Sequence, residues 1–341
     1  MLSGTLDKIM KREHLDRTSA CLAMGEIMDG KATPAQIGAF LAGLRVKGEH
    51  VDEIIGFAQA MRARSVQLPI RLNGLVDTCG TGGDGSETFN ISTAAAILAA
   101  SGGVKIAKHG NRAVSSRSGS ADVLEALGVP ITLTPENAAD CLERTNLCFL
   151  FAPLYHQAMK HAAGPRKELG VRTVFNLLGP LTNPAKADFQ LLGVYDASLI
   201  ETIAQALREL GVKRALVVAG EDGLDELTVT GKSRVAELNN GQIATYTITP
   251  EECGLSRHSL AELKGGGAVE NARMIMDIFK GKKGAPRDIT LLNAGAILYL
   301  AGKAPSIDLG VIQAASLIES GQVLSKLEQI RQVAGGLTNA S

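Results

Sequence analysis

The chain has 341 residues, which at roughly 150 residues per domain corresponds to about two domains. Its 35 Lys and Arg residues balance its 35 Asp and Glu residues, and the net charge of 0 argues against a polybasic nucleic-acid binder or an acidic tail. Apolar residues make up 45% of the chain, as in ordinary globular proteins, and no apolar run approaches the roughly 18 residues of a membrane span.

Cysteine usage indicates the cellular compartment. The five cysteines are odd in number and form no Cys-x-x-Cys pair, which argues against a structural zinc site or a disulfide framework. Charged side chains at Asp7, Lys8, Lys11, Arg12 and Glu13 interrupt any apolar signal-peptide core. We therefore expect a protein of the reducing cytoplasm.

Residues 1–72 have the pattern of helices only. Thr33, Pro34 and Gln36 predict a helix start, with threonine as the N-cap, proline in the first turn and glutamine closing a capping box. A second amphipathic helix is predicted over 51–64.

Short β runs alternate with helical stretches beyond residue 75. The runs lie at 75–77, 104–108, 147–151, 189–194 and 215–219. This alternation predicts right-handed crossovers and a mostly parallel sheet. Two further runs, 234–238 and 243–248, are joined through Asn-Asn-Gly and predict an appended antiparallel hairpin. The expected fold class is α/β, with a helical part packed on a larger α/β part.

The first candidate site is a glycine-rich loop between a predicted strand and an alanine-rich helix that begins near Ser92. Four glycines lie between positions 80 and 85, so backbone N–H groups can approach an anion with no Cβ in the way. Residues 90–93 lie at the helix N-terminus, which favours anions. The pattern matches neither the dinucleotide-binding fingerprint nor the Walker motif, and a flexible turn with an ordinary N-cap is the alternative.

The second candidate, residues 108–120, follows the run at 104–107 and combines three cations, an imidazole and four serines. Such side chains can neutralise and hydrogen-bond a diphosphate, whereas a solvated basic loop is the alternative. The third candidate is the acidic loop 220–228, in which Asp225 and Glu226 could hold Mg²⁺ together with ligand phosphates. Its alternative is a solvated acidic turn.

Together these stretches closely resemble the anthranilate phosphoribosyltransferase family. The matching stretches, in family order, are Cys-Gly-Thr-Gly-Gly-Asp at 79–84, Asn-Ile-Ser-Thr at 90–93, Lys-His-Gly-Asn-Arg at 108–112, Ser-Gly-Ser-Ala-Asp at 118–122, Gly-Pro-Arg at 164–166, Asn-Leu-Leu-Gly-Pro-Leu-Thr-Asn-Pro at 176–184 and Leu-Asp-Glu-Leu-Thr at 224–228. The resemblance implies a fold of the nucleoside phosphorylase and phosphoribosyltransferase type. Its helical domain would span 1–72 with a returning segment at about 172–188, and its α/β domain 73–171 and 189–341. It also implies a homodimer formed through the helical domain.

The resemblance further implies the roles of individual residues. The phosphoribosyl diphosphate site would comprise Gly80, Gly83, Asp84, Thr88, Asn90, Ile91, Ser92, Thr93, Lys108, His109, Gly110, Asn111, Arg112, Ala113, Val114, Ser115, Ser116 and Ser120. Ser92, Asp225 and Glu226 would meet Mg²⁺, the implied cofactor. Gly80, Asn111 and Arg166 would contact anthranilate, with His109 lining its entry.

The implied reaction moves a 5-phosphoribosyl group from phosphoribosyl diphosphate to the amine of anthranilate, with inversion, and releases pyrophosphate in tryptophan biosynthesis. The amine is the nucleophile, so positioning and stabilisation of the leaving group are the main tasks of the protein. No residue is assigned as the catalyst. His109 is a candidate proton acceptor, which near-normal turnover of a His109→Asn variant would exclude. Gly164 and Pro165 predict a helix break, which would put Arg166 at a helix boundary.

Two other functions are alternatives for a chain of this architecture. A pyrimidine nucleoside phosphorylase shares the architecture but uses inorganic phosphate and no metal pair, so the acidic pair and residues 90–93 argue against it. A non-enzymatic nucleic-acid-binding relative would show a surplus of basic residues and altered acidic ligands, whereas the net charge is 0 and both acids are present. We expect small-molecule substrates, with neither nucleic acid nor membrane as a partner.

Overall fold

The computed structural model describes residues 2–113 and 117–339, so the predicted site residues Val114, Ser115 and Ser116 lie outside the described residues. The chain begins with the helices α1 (Leu2–Met10), α2 (Arg17–Met28), α3 (Pro34–Lys47) and α4 (Val51–Ala63). Strands and helices then alternate in the order β1 (Val76–Gly80), α5 (Ile91–Ser101), β2 (Ile106–Gly110), α6 (Ser120–Ala126), α7 (Pro135–Thr145), β3 (Leu147–Phe151), α8 (Ala152–Tyr155), α9 (Lys160–Leu169), α10 (Val174–Leu181), β4 (Phe189–Gly193), α11 (Ile200–Glu209) and β5 (Arg214–Gly220). The remaining elements are β6 (Ser233–Asn239), β7 (Gln242–Ile248), α12 (Ala268–Phe279), α13 (Ala285–Leu300), α14 (Ile307–Glu319) and α15 (Gln322–Asn339).

Local signals in the sequence set the helix starts of the amino-terminal bundle. The Thr33 hydroxyl accepts from the Gln36 N–H at 3.3 Å, and the Gln36 side chain accepts from the Thr33 N–H at 2.9 Å, which confirms the predicted capping box. Helix α2 packs along α4 and α1 against α3, around buried Phe40 and Phe57. The bundle is therefore held by apolar burial between short capped helices.

Two later helices complete this bundle. Helix α10 packs on α3 and α4, and α9 packs on α2 and α3, with Ala162 and Phe175 in the same apolar core. Helix α9 lies within the stretch 73–171 that the sequence resemblance assigned to the α/β domain. The division of the chain into domains stays a prediction, and the contacts of α9 argue for adding it to the helical part.

The sheet has the strand order β3-β2-β1-β4-β5-β6-β7. Strands β1 to β5 pair in parallel, and β6 and β7 continue the sheet antiparallel, which confirms the predicted parallel sheet and its appended hairpin. Strand β2 extends beyond the predicted run at 104–108 through His109 and Gly110, which the sequence pattern placed in the following loop. They remain in the strand because Lys108 and His109 are buried and bonded there.

The parallel strands point their carboxyl ends to one edge of the sheet, where open α/β sheets bind ligands. Helices α5, α13 and α14 pack together beside the sheet, and α11 packs on β5 and β6. At the carboxyl edge, four of the parallel strands end in glycine: Gly80, Gly110, Gly193 and Gly220. Within the described part of the chain, no helix is both long enough and apolar enough to cross a membrane.

Candidate active site

The glycine-rich loop and the acidic loop meet at the carboxyl edge of the sheet. The Gly82 N–H donates to Oδ2 of Asp225 at 2.7 Å. A Cβ on Gly80 would overlap the same carboxylate, and a Cβ on Gly193 would overlap the Asp225 backbone carbonyl. Glycine at both strand ends therefore lets the acidic loop lie directly against β1 and β4.

Asp225 and Glu226 lie near another carboxylate and near a single cationic side chain, Lys108. Burial and the carboxylate of Asp84 raise the pKa of Asp225, and burial and Asp225 raise the pKa of Glu226. Lys108 lowers both pKa values, and the Ser92 N–H, by donating to Glu226, lowers that of Glu226. A bound cation would relieve the repulsion between these carboxylates.

Lys108 links the acidic pair to the start of α5. Its Nζ donates to the Thr78 carbonyl at 2.7 Å and to the Ser92 hydroxyl at 3.0 Å. The side chain is buried, and burial lowers its pKa. Ser92, Glu226 and Lys108 therefore form one connected polar cluster.

The amino-terminal end of α5 faces the glycine-rich loop. Asn90, the N-cap, makes no side-chain cap; its amide instead donates to the Ser118 carbonyl at 3.0 Å and accepts from Asn271 at 3.0 Å. Thr88 pairs with Lys264 in an isolated antiparallel bridge. The start of α5 is thus tied to Ser118 and to the first turn of α12, while Ile91 and Thr93 in its first turn are buried.

The loop after β2 is closed by Asp122. Its Oδ2 accepts from the Ala113 N–H at 2.9 Å and from the Gly119 N–H at 2.8 Å. The Arg112 guanidinium pairs with Asp122 at 2.9 Å and with Glu125 at 2.6 Å. The side chain of Arg112 is thus paired with two acids of α6. Ser120 donates to the Asn111 carbonyl at 3.3 Å, which places both at the mouth of that loop.

Two buried histidines lie side by side, His109 in β2 and His156 directly after α8. His109 bonds the Gly179 backbone and His156 the Thr182 backbone, and their ring centroids are 5.0 Å apart. Burial lowers the pKa of His109 to about 3 and that of His156 to about 4, so both are neutral at pH 7. The Nε2 atom of each is buried without a hydrogen-bond partner among the described residues.

Arg166 lies on α9, which runs unbroken through Gly164 and Pro165 to Leu169. The predicted helix break is therefore wrong: Pro165 removes one backbone N–H donor, but its ring is buried in the packing that holds this short helix. The guanidinium of Arg166 stacks over the Phe175 ring at 4.9 Å from its centroid, and burial lowers its pKa. Arg166 thus connects through Phe175 to α10, the helix whose Gly179 bonds His109.

The donor set fits a hard divalent cation that shares its ligands with a substrate. Among the described residues, no group of three or more His, Cys, Asp and Glu side chains could hold a metal alone. Asp225, Glu226 and the Ser92 hydroxyl offer only oxygen donors. Mg²⁺ prefers oxygen and is usually held by one or two carboxylates together with substrate phosphates.

The structure adds residues that the motifs did not single out. His156, Phe175 and Gly193 lie in or beside the site, but each contacts a residue on a different element of the fold. Asp77, two residues before the matching stretch at 79–84, is a further buried polar residue to which the motifs assign no function. Its place within a strand run, where a charged side chain is unusual, is the signal that could have drawn attention to it.

Comparison with known proteins first identifies the enzyme class. The family model described as "Glycosyl transferase family, a/b domain" matches residues 72–324, and "Glycosyl transferase family, helical bundle domain" matches residues 4–65. An anthranilate phosphoribosyltransferase of Brevibacillus brevis is 70% identical over 341 residues, 100% of both chains. The chain therefore belongs to the anthranilate phosphoribosyltransferase family of these glycosyl transferases.

Solved structures agree with this membership. The anthranilate phosphoribosyltransferase of Thermus thermophilus superposes with a TM-score of 0.91 at 46% identity, covering 96% of this chain and 98% of that one. The Saccharomyces cerevisiae enzyme "in complex with PRPP and Mg" gives a TM-score of 0.90 at 30% identity, with 98% of each chain covered. These findings confirm the predicted fold class, enzyme class and phosphoribosyl-transfer reaction.

Proposed function

We propose that the protein transfers the 5-phosphoribosyl group of phosphoribosyl diphosphate to the amine of anthranilate, with Mg²⁺ as cofactor. The reaction would take place at the carboxyl edge of the sheet. The observation that carries this proposal is the contact between the Gly82 N–H and the Asp225 carboxylate, because it joins an anion-binding loop to a cation-binding pair. A diphosphate carrying a divalent cation needs both within one site.

The phosphoribosyl diphosphate half-site uses backbone donors and Lys108. The N–H groups of Gly82 and Ser92 already donate to Asp225 and Glu226, so the remaining N–H groups of the loop at 80–85 would face phosphate oxygens. Lys108 supplies a buried positive charge beside Ser92. Ser92, Asp225 and Glu226 would hold Mg²⁺, which when bound stabilises the negative charge that develops on the departing diphosphate. The alternative of a phosphate-dependent nucleoside phosphorylase gives these buried acids no task.

The anthranilate half-site uses Arg166, Asn111 and the end of β1 at Gly80. Among the described residues the Arg166 guanidinium pairs with no carboxylate and stacks on the Phe175 ring, so it is available for the carboxylate of the substrate. A planar guanidinium can hold a carboxylate at two points and so fix the direction of the adjacent amine. Binding of the carboxylate in this way would orient the amine towards the anomeric carbon and lower the entropic cost of reaching a reactive geometry.

His109 is suited to accepting a hydrogen bond rather than to carrying charge. The Gly179 backbone bonds the ring, and Nε2 has no partner among the described residues, so the neutral ring offers Nε2 as an acceptor. The amine of anthranilate becomes acidic as it attacks, and Nε2 would accept a hydrogen bond from its N–H, while the pKa of about 3 makes His109 a weak base for complete proton transfer.

The proposal includes a homodimer and a cytoplasmic location. Met10 and Val46 on the helical bundle are 70% and 71% exposed, an apolar surface that a second copy of the chain would cover. The cysteines are free thiols, consistent with a reducing compartment. Light scattering on the purified protein tests the dimer, and a mass of one chain at micromolar concentration would contradict it.

Calorimetry tests the metal-assisted site directly. Phosphoribosyl diphosphate should bind the chelator-treated protein at least tenfold more weakly than the protein with millimolar Mg²⁺, because the cation bridges phosphate and carboxylates. The Asp225→Asn and Glu226→Gln double variant should lose that dependence. Equal affinity with and without Mg²⁺ in the unaltered protein would contradict the proposed metal site.

A further inference from the structure

We propose that Asp77 is a positioning residue that sets the placement of α10, and through it of Arg166, and so controls the affinity for anthranilate. The inference deepens the proposed function, because it rests on Arg166 holding the carboxylate of anthranilate. Asp77 lies outside the matching stretches named in the sequence analysis, and its side chain does not form part of the site described above. It lies one residue inside β1, wholly buried in the middle of the sheet.

The surroundings of Asp77 supply donors from several separate segments. The His109 N–H of β2 donates to Oδ1 at 3.3 Å, and the Gln190 amide of β4 donates to Oδ2 at 3.4 Å. The Asn183 side chain, from the link between α10 and β4, also bonds the carboxylate, and the Cys79 thiol donates at 3.8 Å. Because all of these groups donate, only a side chain that purely accepts satisfies them.

The same partners hold the end of α10. The Gln190 amide also donates to the Pro180 carbonyl at 2.7 Å, and the Asn183 amide to the Ala107 carbonyl of β2 at 2.8 Å. His109 bonds the Gly179 backbone. Asp77 is therefore the point at which the last turn of α10 is fixed to three adjacent strands.

Helix α10 connects this buried cluster to the substrate side. Phe175, in its first turn, carries the Arg166 guanidinium on its ring. A shift of α10 would thus move the group that orients anthranilate, whereas the phosphate-binding loop 80–85 is anchored separately through Asp225. The expected signature is a change in the Michaelis constant for one substrate and not for the other.

The decisive variant is Asp77→Asn, which keeps the shape but turns one acceptor into a donor facing donors. We expect the KM for anthranilate to rise about tenfold, with the KM for phosphoribosyl diphosphate changed less than twofold. Asp188→Asn is the matched control, since its carboxylate also ties two segments, Gly74 at 2.8 Å and Lys213 at 2.8 Å, without touching α10. It should leave both KM values unchanged.

A double-mutant cycle separates this inference from the proposed function. If Asp77 acts through Arg166, adding Asp77→Asn to Arg166→Ala costs far less in kcat/KM for anthranilate than Asp77→Asn alone. Should Asp77→Asn fail to fold, Gln190→Met removes the links of Gln190 to Asp77 and Pro180 with a side chain of similar length and should raise only the KM for anthranilate. Additive losses, or equal rises in both KM values, would overturn the role of Asp77. An Arg166→Ala variant with unchanged anthranilate KM would instead overturn the proposed role of Arg166 and, with it, the relay.

Discussion

The Gly82 N–H and the Asp225 carboxylate, 143 residues apart in the chain, are hydrogen-bonded at 2.7 Å. The bond joins the loop after β1 to the loop after β5 across the end of β4. It places backbone donors and carboxylates side by side, the two kinds of group that a metal-bound diphosphate requires.

A methyl group at Gly80 should disrupt the site. A Cβ there would overlap the Asp225 carboxylate, so Gly80→Ala must push the acidic loop from the end of β1. We expect kcat/KM to fall at least a hundredfold, as for other misplaced catalytic groups. Gly38→Ala is the control: it lies in α3 with nothing within 4 Å of the added atom, and it should retain activity while stabilising the helix by about 0.5–1 kcal/mol. Steady-state kinetics and urea unfolding of both variants provide the comparison.

The acidic pair should be needed for turnover but not for folding. Asp225→Asn combined with Glu226→Gln keeps side-chain size and removes two charges that raise each other's cost of burial, so the free energy of unfolding should not fall. Activity should be lost, and excess Mg²⁺ should partly rescue either single variant by mass action. A double variant with unaltered turnover at low Mg²⁺ would show the pair to be a simple acidic turn.

Arg166 should select anthranilate. Loss of a charge-assisted contact costs on the order of 1.5–3 kcal/mol, so Arg166→Ala should raise the KM for anthranilate roughly 10- to 150-fold. The affinity for phosphoribosyl diphosphate should stay nearly unchanged. Arg166→Lys should recover only part, because lysine lacks the planar fork that also stacks on Phe175. If the diphosphate substrate is the one that binds more weakly, the residue belongs to the other half of the site.

The buried histidines should make the fold sensitive to acid. Burial lowers the pKa of His109 to about 3 and that of His156 to about 4, whereas an unfolded histidine has a pKa of about 6.5. Below pH 6.5 the unfolded chain therefore binds protons that the folded chain does not, and the free energy of unfolding falls as the pH falls. Each histidine should contribute a loss of about 2 kcal/mol at pH 5.

Urea unfolding at pH 7.5 and pH 5 measures this effect. Since His156→Gln removes one of the two groups, the loss between these pH values should be smaller by about 2 kcal/mol than in the unaltered protein. Equal dependence in the His156→Gln variant would mean that His156 is charged in the folded state.

Much of the fold could be predicted because local signals and the global fold agree. The capping box at Thr33 and the alternation of β runs each depend on neighbours in the sequence, and both appear in the structure. The course of α9 through Pro165 was not predictable in this way, because a proline that tertiary packing holds within a helix gives the same local pattern as one that ends it.

Only those parts of the candidate site that lie in short sequence motifs could be predicted. Glycines and acids near strand ends indicated an anion site and a metal pair, since strand ends of a parallel sheet converge. The stacking of Arg166 on Phe175, and the bonds from β2 and β4 to Asp77, join residues whose spacing carries no periodic signal. Such contacts arise from the tertiary packing of α9 and α10, which no short motif specifies.

The fluorescence of anthranilate provides the most direct test of the reaction. The purified protein is mixed with anthranilate, Mg²⁺ and phosphoribosyl diphosphate, and the emission of anthranilate is followed with time. We predict a progressive loss of emission that requires all three additions and is matched by release of one pyrophosphate per anthranilate consumed. Constant emission at any practical protein concentration, with both substrates and Mg²⁺ present, would contradict the assignment of this chain as a phosphoribosyl transferase acting on anthranilate.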